Sequence, residues 1–495
     1  MMAGSPPAAA IKAYELMRSG RIEEAIVLAE QAVDGARVCS PGHGFLASLL
    51  LKQGRLADAE RIVGGALQLP TGVADAYDGL AYVSMALGKH ERANGLYRRA
   101  TEISPQVPRF WYNLAGSERS LGRLAEAEAA CDRAIALDPE QYPSYLLRSE
   151  LRVQSPGANH IADLEARLAG AAQDHRARVF LGYALAKELD DVQRFDEAFT
   201  WFANAATARR SRLSYDVAAD ERKLARIAEV FPESLVAEAP GRARAPAVRP
   251  VDSSRHIFIV GLPRSGTTLV ERILTGLAGV RSNGETENFS RALLAAARGP
   301  GDVFQQAAAA DPWAVAANYA GFAHGETGSD RIIEKLPMNY LYLGAIRRAL
   351  PDAAILLIRR SPLDSCFAMY RTLFGDAYPF SYDFDDLARY YAAYERLMTH
   401  WRTVLGGRLR EVVYEDLVRE PQRIGAILAQ HCGIAWSDAA IEIQNNQSVS
   451  LTASAAQVRR PIYGSSSGRW RHYHSHLGGL IAALRRHGVS LPEGA

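Results

Sequence analysis

Two stretches in the second half of the chain are apolar at nearly every position: HIFIVGL from His256 to Leu262 and AAILLIR from Ala353 to Arg359. REVVYEDL from Arg410 to Leu417 is a third candidate of strand length. Such runs fit strands buried on both faces. The segments that follow them, TTLVERILTGL, LDSCFAMYRTLF and REPQRIGAILAQHCG, carry helical spacing. Strands separated by helices predict a parallel sheet with helices on either side, which places ligands at the carboxyl ends of the strands. The first half has a different pattern. Gly-x-x-x-x-Ala recurs at Gly20, Gly54, Gly88 and Gly122, each 34 residues after the last.

A period of 34 residues predicts a helical repeat array, with Gly at the turn and Ala where two helices approach. Further marks recur, including Trp111, Leu114 and Ala115 in one run, Ala127 and Ala134 in the next helix, and Pro105 and Pro139. On these residues the chain resembles the tetratricopeptide repeat family. A weaker copy, RFDEAFTWFANA from Arg194, extends the expectation. The predicted domains are a disordered N-terminus over 1–10, a repeat array over 11–235 with a degenerate last part, a Pro/Ala/Arg-rich linker over 236–255 and an α/β domain over 256–495.

The 57 Lys and Arg against 55 Asp and Glu leave no field strong enough to argue for nucleic acid as a partner. Four scattered cysteines, Cys39, Cys131, Cys366 and Cys432, fit neither a disulfide framework nor a zinc site. The chain shows neither a secretory leader pattern nor a run of about 18 apolar residues, so a soluble, cytoplasmic protein without a membrane span is expected.

After the first strand comes GLPRSGTTL, Gly261 to Leu269, a glycine turn opening a helix. Backbone amides there face an anion, and Ser265, Thr267 and Thr268 add hydroxyl donors. Gly261 and Gly266 stand in register with the triphosphate loop G-x-x-x-x-G-K-[ST], but Thr267 replaces its lysine. The AAILLIR strand ends in Arg359 and its neighbour Arg360 rather than in an acidic metal ligand. A kinase or ATPase is thereby disfavoured, and no metal is expected.

PRSGTTL after one strand and LLIRRSPLDSCFAMY in another resemble the 5′-phosphosulfate and 3′-phosphate motifs of sulfotransferases, in particular the tyrosylprotein sulfotransferase family and bacterial relatives with tetratricopeptide repeats. The resemblance covers about residues 256–475. It implies a P-loop-like sulfotransferase fold with 3′-phosphoadenosine 5′-phosphosulfate as co-substrate. Pro263, Arg264, Ser265, Gly266, Thr267 and Thr268 then match the 5′ site, and Arg360 the 3′-phosphate site.

In NGETENF the resemblance implies Glu285 as general base, with Glu287 as competitor. Lys335, in IIEKLP, matches the cation at the bridging and sulfuryl oxygens, and Arg264 serves the same charge. In SLTASAAQVRRPIYGSSSGRWRHY, Ser454 matches a serine near the sulfuryl group and Arg469 a cation, with Arg459 and Arg460 near the 3′-phosphate. Ala368 departs from the family's usual serine, so another hydroxyl such as that of Ser365 is expected to serve.

The expected activity is sulfuryl transfer to a hydroxyl, protein tyrosine first, with a carbohydrate or small molecule as the alternative acceptor. A catalytically inactive repeat scaffold is the other alternative. The repeats are expected to hold a protein or peptide acceptor, or to serve as a homodimer surface.

Overall fold

The computed structural model describes residues 8–237, 251–323, 330–446, 461–462, 464, 466–492 and 494. The disorder expected over 1–10 and the linker expected over 236–255 fall largely outside these residues. The chain divides into two compact units, Met1–Arg152 and Val153–Ala495.

The first unit is a run of helices from Ala8–Arg18 to Tyr142–Glu150. The 34-residue pattern has a direct physical basis here. Gly20, Gly54, Gly88 and Gly122 all adopt φ between +72° and +81°, where a β-carbon is disfavoured. At each, the glycine N–H donates to the carbonyl three residues back and the next N–H to the carbonyl five back, which closes the helix and reverses the chain. The paired alanines Ala25, Ala59, Ala93 and Ala127 are each fully buried. Their small side chains let neighbouring helices of the tetratricopeptide region close together.

The second unit centres on five parallel strands in the order β2-β3-β1-β4-β5. They are β1 His256–Gly261, β2 Val280–Ser282, β3 Arg331–Lys335, β4 Ala354–Arg359 and β5 Leu409–Val413. Every residue of β1 is buried, as its apolar run requires, whereas the edge strands β2 and β5 are only partly covered. The third expected strand stops at Val413, because Tyr414 opens the helix Tyr414–Arg419. From β1 the chain moves outward to β2 and returns through β3, then crosses to β4 on the other side. Strand order therefore reverses between β1 and β4, and the loops after these strands flank a crevice at their carboxyl ends.

Helices preceding the sheet also belong to this unit, including His175–Asp191, Phe195–Arg210 and Val217–Val230. The sequence placed them at the degenerate end of the array, but the compact units divide at residue 152. Val217–Val230 packs on the long helix Phe384–Leu405, where Glu221 receives Arg389 at 2.6 Å. The copy at Arg194 keeps the repeat turn, with Gln193 at φ +65° where the others have glycine. A non-glycine residue in that conformation costs about 1 kcal/mol, and it breaks the sequence pattern.

Candidate active site

The turn after β1 is shaped by close approach. A β-carbon on Gly261 would lie 2.6 Å from the Ile358 carbonyl of β4, and one on Gly266 would collide with the Tyr414 ring. Arg264 takes the left-handed φ of +65° between them. Gly266, which has no side chain to cap it, then opens the helix Thr267–Thr275. Ser265, Thr267 and Thr268 are all buried here, and the Ser265 hydroxyl has no hydrogen-bond partner among the described residues.

Arg360, just past β4, lies across the crevice. Its Nη1 donates to the Arg264 carbonyl at 2.9 Å and its Nη2 to the Ser466 carbonyl, while the guanidinium stacks over Tyr414 at 4.9 Å. Among the described residues its Nε is buried without a partner, and so is the hydroxyl of the adjacent Ser361. Ser365, expected to compensate for Ala368, spends its hydroxyl on the Arg360 carbonyl at 3.4 Å. The hydroxyl of Ser361, next to Arg360, is by contrast unengaged among the described residues.

Lys335 ends β3 fully buried, 2.5 Å from Glu285 Oε1 and 3.4 Å from Glu271 Oε2 on the helix Thr267–Thr275. Glu287 instead reaches toward Arg291 at 3.4 Å in an exposed position. The loop carrying Glu285 is tied to β3 by Glu334, whose buried carboxylate accepts from Asn283 and Thr286 at 2.7 Å and from Asn288 and Tyr319 at 3.1 Å. Burial pushes the Glu334 carboxyl up, and these donors oppose the rise. Burial, and then the Glu285 charge, likewise raise the Tyr378 phenol.

Among the expected C-terminal residues, Ser454, Arg459 and Arg460 lie outside the described residues. Arg469 is bound to Asp190 of His175–Asp191, which also takes Arg371 at 2.6 Å and the Tyr473 hydroxyl. Burial opposes the Asp190 charge, yet Arg371 and Arg469 hold its carboxyl below the usual range. Beside it, Asp364 accepts the amides of Gly468 at 2.7 Å and Trp470 at 3.3 Å, fastening this segment to the helix Pro362–Tyr370. Sequence reasoning missed Glu271, Glu334, Ser361, Asp364, Tyr414 and Asp190. Ser361 is marked only by a buried, unengaged hydroxyl and the others by partners distant in the chain, so no local pattern reveals them.

Comparison with known proteins agrees with this architecture. Residues 256–438 match the family model described as Sulfotransferase family, and residues 12–69 and 79–142 match Tetratricopeptide repeat. The protein thus carries a sulfotransferase-family domain with a parallel five-stranded sheet, preceded by a tetratricopeptide repeat region. An uncharacterized protein of Aquifex aeolicus (strain VF5) is 28% identical over 417 residues, covering 81% of this chain and 54% of that protein. The chain therefore spans about half the length of the curated relative it matches.

Among solved structures, the sulfotransferase domain from the Synechococcus PCC 7002 olefin synthase is 21% identical, covering 48% of this chain and 96% of that one, with a TM-score of 0.35. The sulfotransferase domain from the curacin biosynthetic pathway is 14% identical, covering 48% and 98%, with a TM-score of 0.32. No helix among the described residues is long and apolar enough to cross a membrane.

Proposed function

We propose that the second unit transfers the sulfuryl group of 3′-phosphoadenosine 5′-phosphosulfate to an acceptor hydroxyl, with protein or peptide tyrosine as the acceptor and the repeats as the surface that holds the polypeptide. The observation that carries this reading is the set of buried polar atoms at the β1/β4 crevice that have no partner among the described residues: Ser265 Oγ, Arg360 Nε and Ser361 Oγ. A buried donor without a partner is costly, and an anion at each side of the crevice would satisfy all three.

In this reading the loop Pro263–Thr268 and the N-terminus of the helix Thr267–Thr275 hold the 5′ arm, while Arg360 and Ser361 hold the 3′-phosphate. The donor supplies an activated sulfuryl group on a phosphate anhydride. Glu285 accepts the acceptor's hydroxyl proton, and Lys335 stands where negative charge grows on the leaving phosphate oxygen. Arg264 faces the same charge from the loop, with Ser454, Arg459, Arg460 and Arg469 assigned to the closing segment. The buried, unpaired thiols of Cys39, Cys131, Cys366 and Cys432 suit a reducing cytoplasm.

The test uses the purified chain with radiolabelled donor and tyrosine peptides, without added metal. Label transfer to the peptides is expected, together with calorimetric binding of adenosine 3′,5′-bisphosphate. Tight binding of magnesium-ATP with no binding of the bisphosphate would sink the reading.

A further inference from the structure

Lys335 and its neighbour Glu334 point to opposite faces of the sheet, as successive residues of a strand do. Glu334 meets Asn288 and Tyr319, while Lys335 meets the helix Thr267–Thr275, which packs against β1, β2 and β3. A fully buried ammonium needs counter-charge close by, because leaving water penalises it heavily. Among the described residues Lys335 pairs with two carboxylates, Glu285 at 2.5 Å and Glu271 at 3.4 Å. The two are not equivalent. Glu285 keeps 33% of its side chain exposed, open to an acceptor, whereas Glu271 keeps only 12% and takes the Ser282 hydroxyl on its Oε1 at 2.5 Å.

Ser282, the last residue of β2, carries this hold onward. Its Oγ accepts the Gly284 amide at 2.9 Å, and the Lys335 amide donates to the Gly284 carbonyl at 3.2 Å. Gly284 turns through φ +74° directly before Glu285. One oxygen of Glu271 therefore faces the cation, and the other reaches through Ser282 to the turn that presents the proposed base. Glu271 also lies three residues past Thr268, about one turn along the helix whose start is assigned to the 5′ arm.

The counter-charge from Glu285 does not last through the reaction. The acceptor oxygen bonds to sulfur and its proton passes to Glu285, while the bond from sulfur to the bridging phosphate oxygen breaks with its electron pair left on that oxygen beside Lys335. Glu285 is thus neutralised just as Lys335 has to face the leaving oxygen. Glu271 exchanges no proton in this step and keeps its charge. Resting on the sulfotransferase reading above, we propose that Glu271 is a positioning residue of the transfer step: it supplies the standing counter-charge that holds Lys335 in place and, through Ser282, sets the turn that bears Glu285.

The experiment compares the full chain with Glu271→Gln, Lys335→Met and the double variant. Gln keeps the volume and an acceptor for Ser282 and removes only the charge. Labelled donor is offered with tyrosine peptides, and transfer to water is read as released sulfate so that the result does not hang on the acceptor. Binding of adenosine 3′,5′-bisphosphate is followed by calorimetry. Glu271→Gln should lower kcat about tenfold to a hundredfold with peptide and with water, leaving donor KM and bisphosphate affinity at the wild-type values. The double variant should turn over within about twofold of Lys335→Met alone, because the charge acts through the lysine. Wild-type kcat in Glu271→Gln, losses that multiply in the double variant, or a parallel loss of bisphosphate affinity overturns the assignment and leaves the sulfotransferase reading intact. An unaltered chain that binds no bisphosphate, or that transfers the sulfuryl group neither to peptide nor to water, overturns both readings together.

Discussion

Glu334 accepts a hydrogen bond at 2.7 Å from Thr286, the residue that follows Glu285, although the two lie 48 positions apart in the chain. Glu334 is inaccessible to acceptor and donor alike, so its part is to fix the loop that bears the proposed base opposite Lys335.

Replacing Glu334 with Gln turns one acceptor into an amide facing donors from Asn283, Thr286, Asn288 and Tyr319. Stability should fall by about 1 to 3 kcal/mol in urea unfolding. Misplacement of Glu285 should lower kcat on the order of tenfold to a hundredfold. Affinity for adenosine 3′,5′-bisphosphate should remain at the wild-type value, and a parallel loss of it would show that the change is merely structural.

Ser361→Ala and Ser265→Ala remove buried hydroxyls that have no partner among the described residues. Neither should destabilise the free chain, and thermal melting should show no loss or a slight gain. Bisphosphate affinity should nevertheless drop about fivefold for each, equivalent to about 1 kcal/mol. Unchanged affinity in both would remove these residues from the nucleotide site.

Asp190 ties Arg371, Arg469 and Tyr473 together from the helix His175–Asp191. Asp190→Asn leaves two arginines short of a counter-charge and should cost about 3 kcal/mol in denaturant unfolding. Because the folded carboxyl is held below its usual range, the stabilisation is present above the unfolded value and fades as pH falls through the folded one. The Asn variant should lack that acid-side decline.

His256, buried on β1 with its Nδ1 at 2.9 Å from the Tyr319 hydroxyl, is pushed down to about 4 by burial and then by Arg255 and Arg281. Unfolded chains take up this proton near pH 6.5, so the native state should lose about 3 kcal/mol as pH falls from about 6.5 to about 4. Urea midpoints across that range measure the effect. In His256→Gln the corresponding part of the slope should vanish.

The repeat region was legible because one constraint recurs. Gly88 must turn through positive φ and Ala93 must be small, and both leave a residue-level mark every 34 positions. Where Gln193 makes the same turn without glycine, the mark fades while the geometry persists. The central strand β1 was equally plain, since burial on both faces demands an unbroken apolar run. The edge strand β2, three partly covered residues, gives no such pattern.

By itself the sequence determined the two classes of architecture and the glycine turn from Gly261 to Thr268, because backbone conformation and two-sided burial restrict residue type locally. Only the tertiary structure decided that Lys335 meets Glu285, that Glu334 anchors the loop between them, and that Arg469 belongs to Asp190. These are pairings between side chains far apart in the chain, and the energy of such a contact depends on distance and desolvation, which are properties of the packed chain.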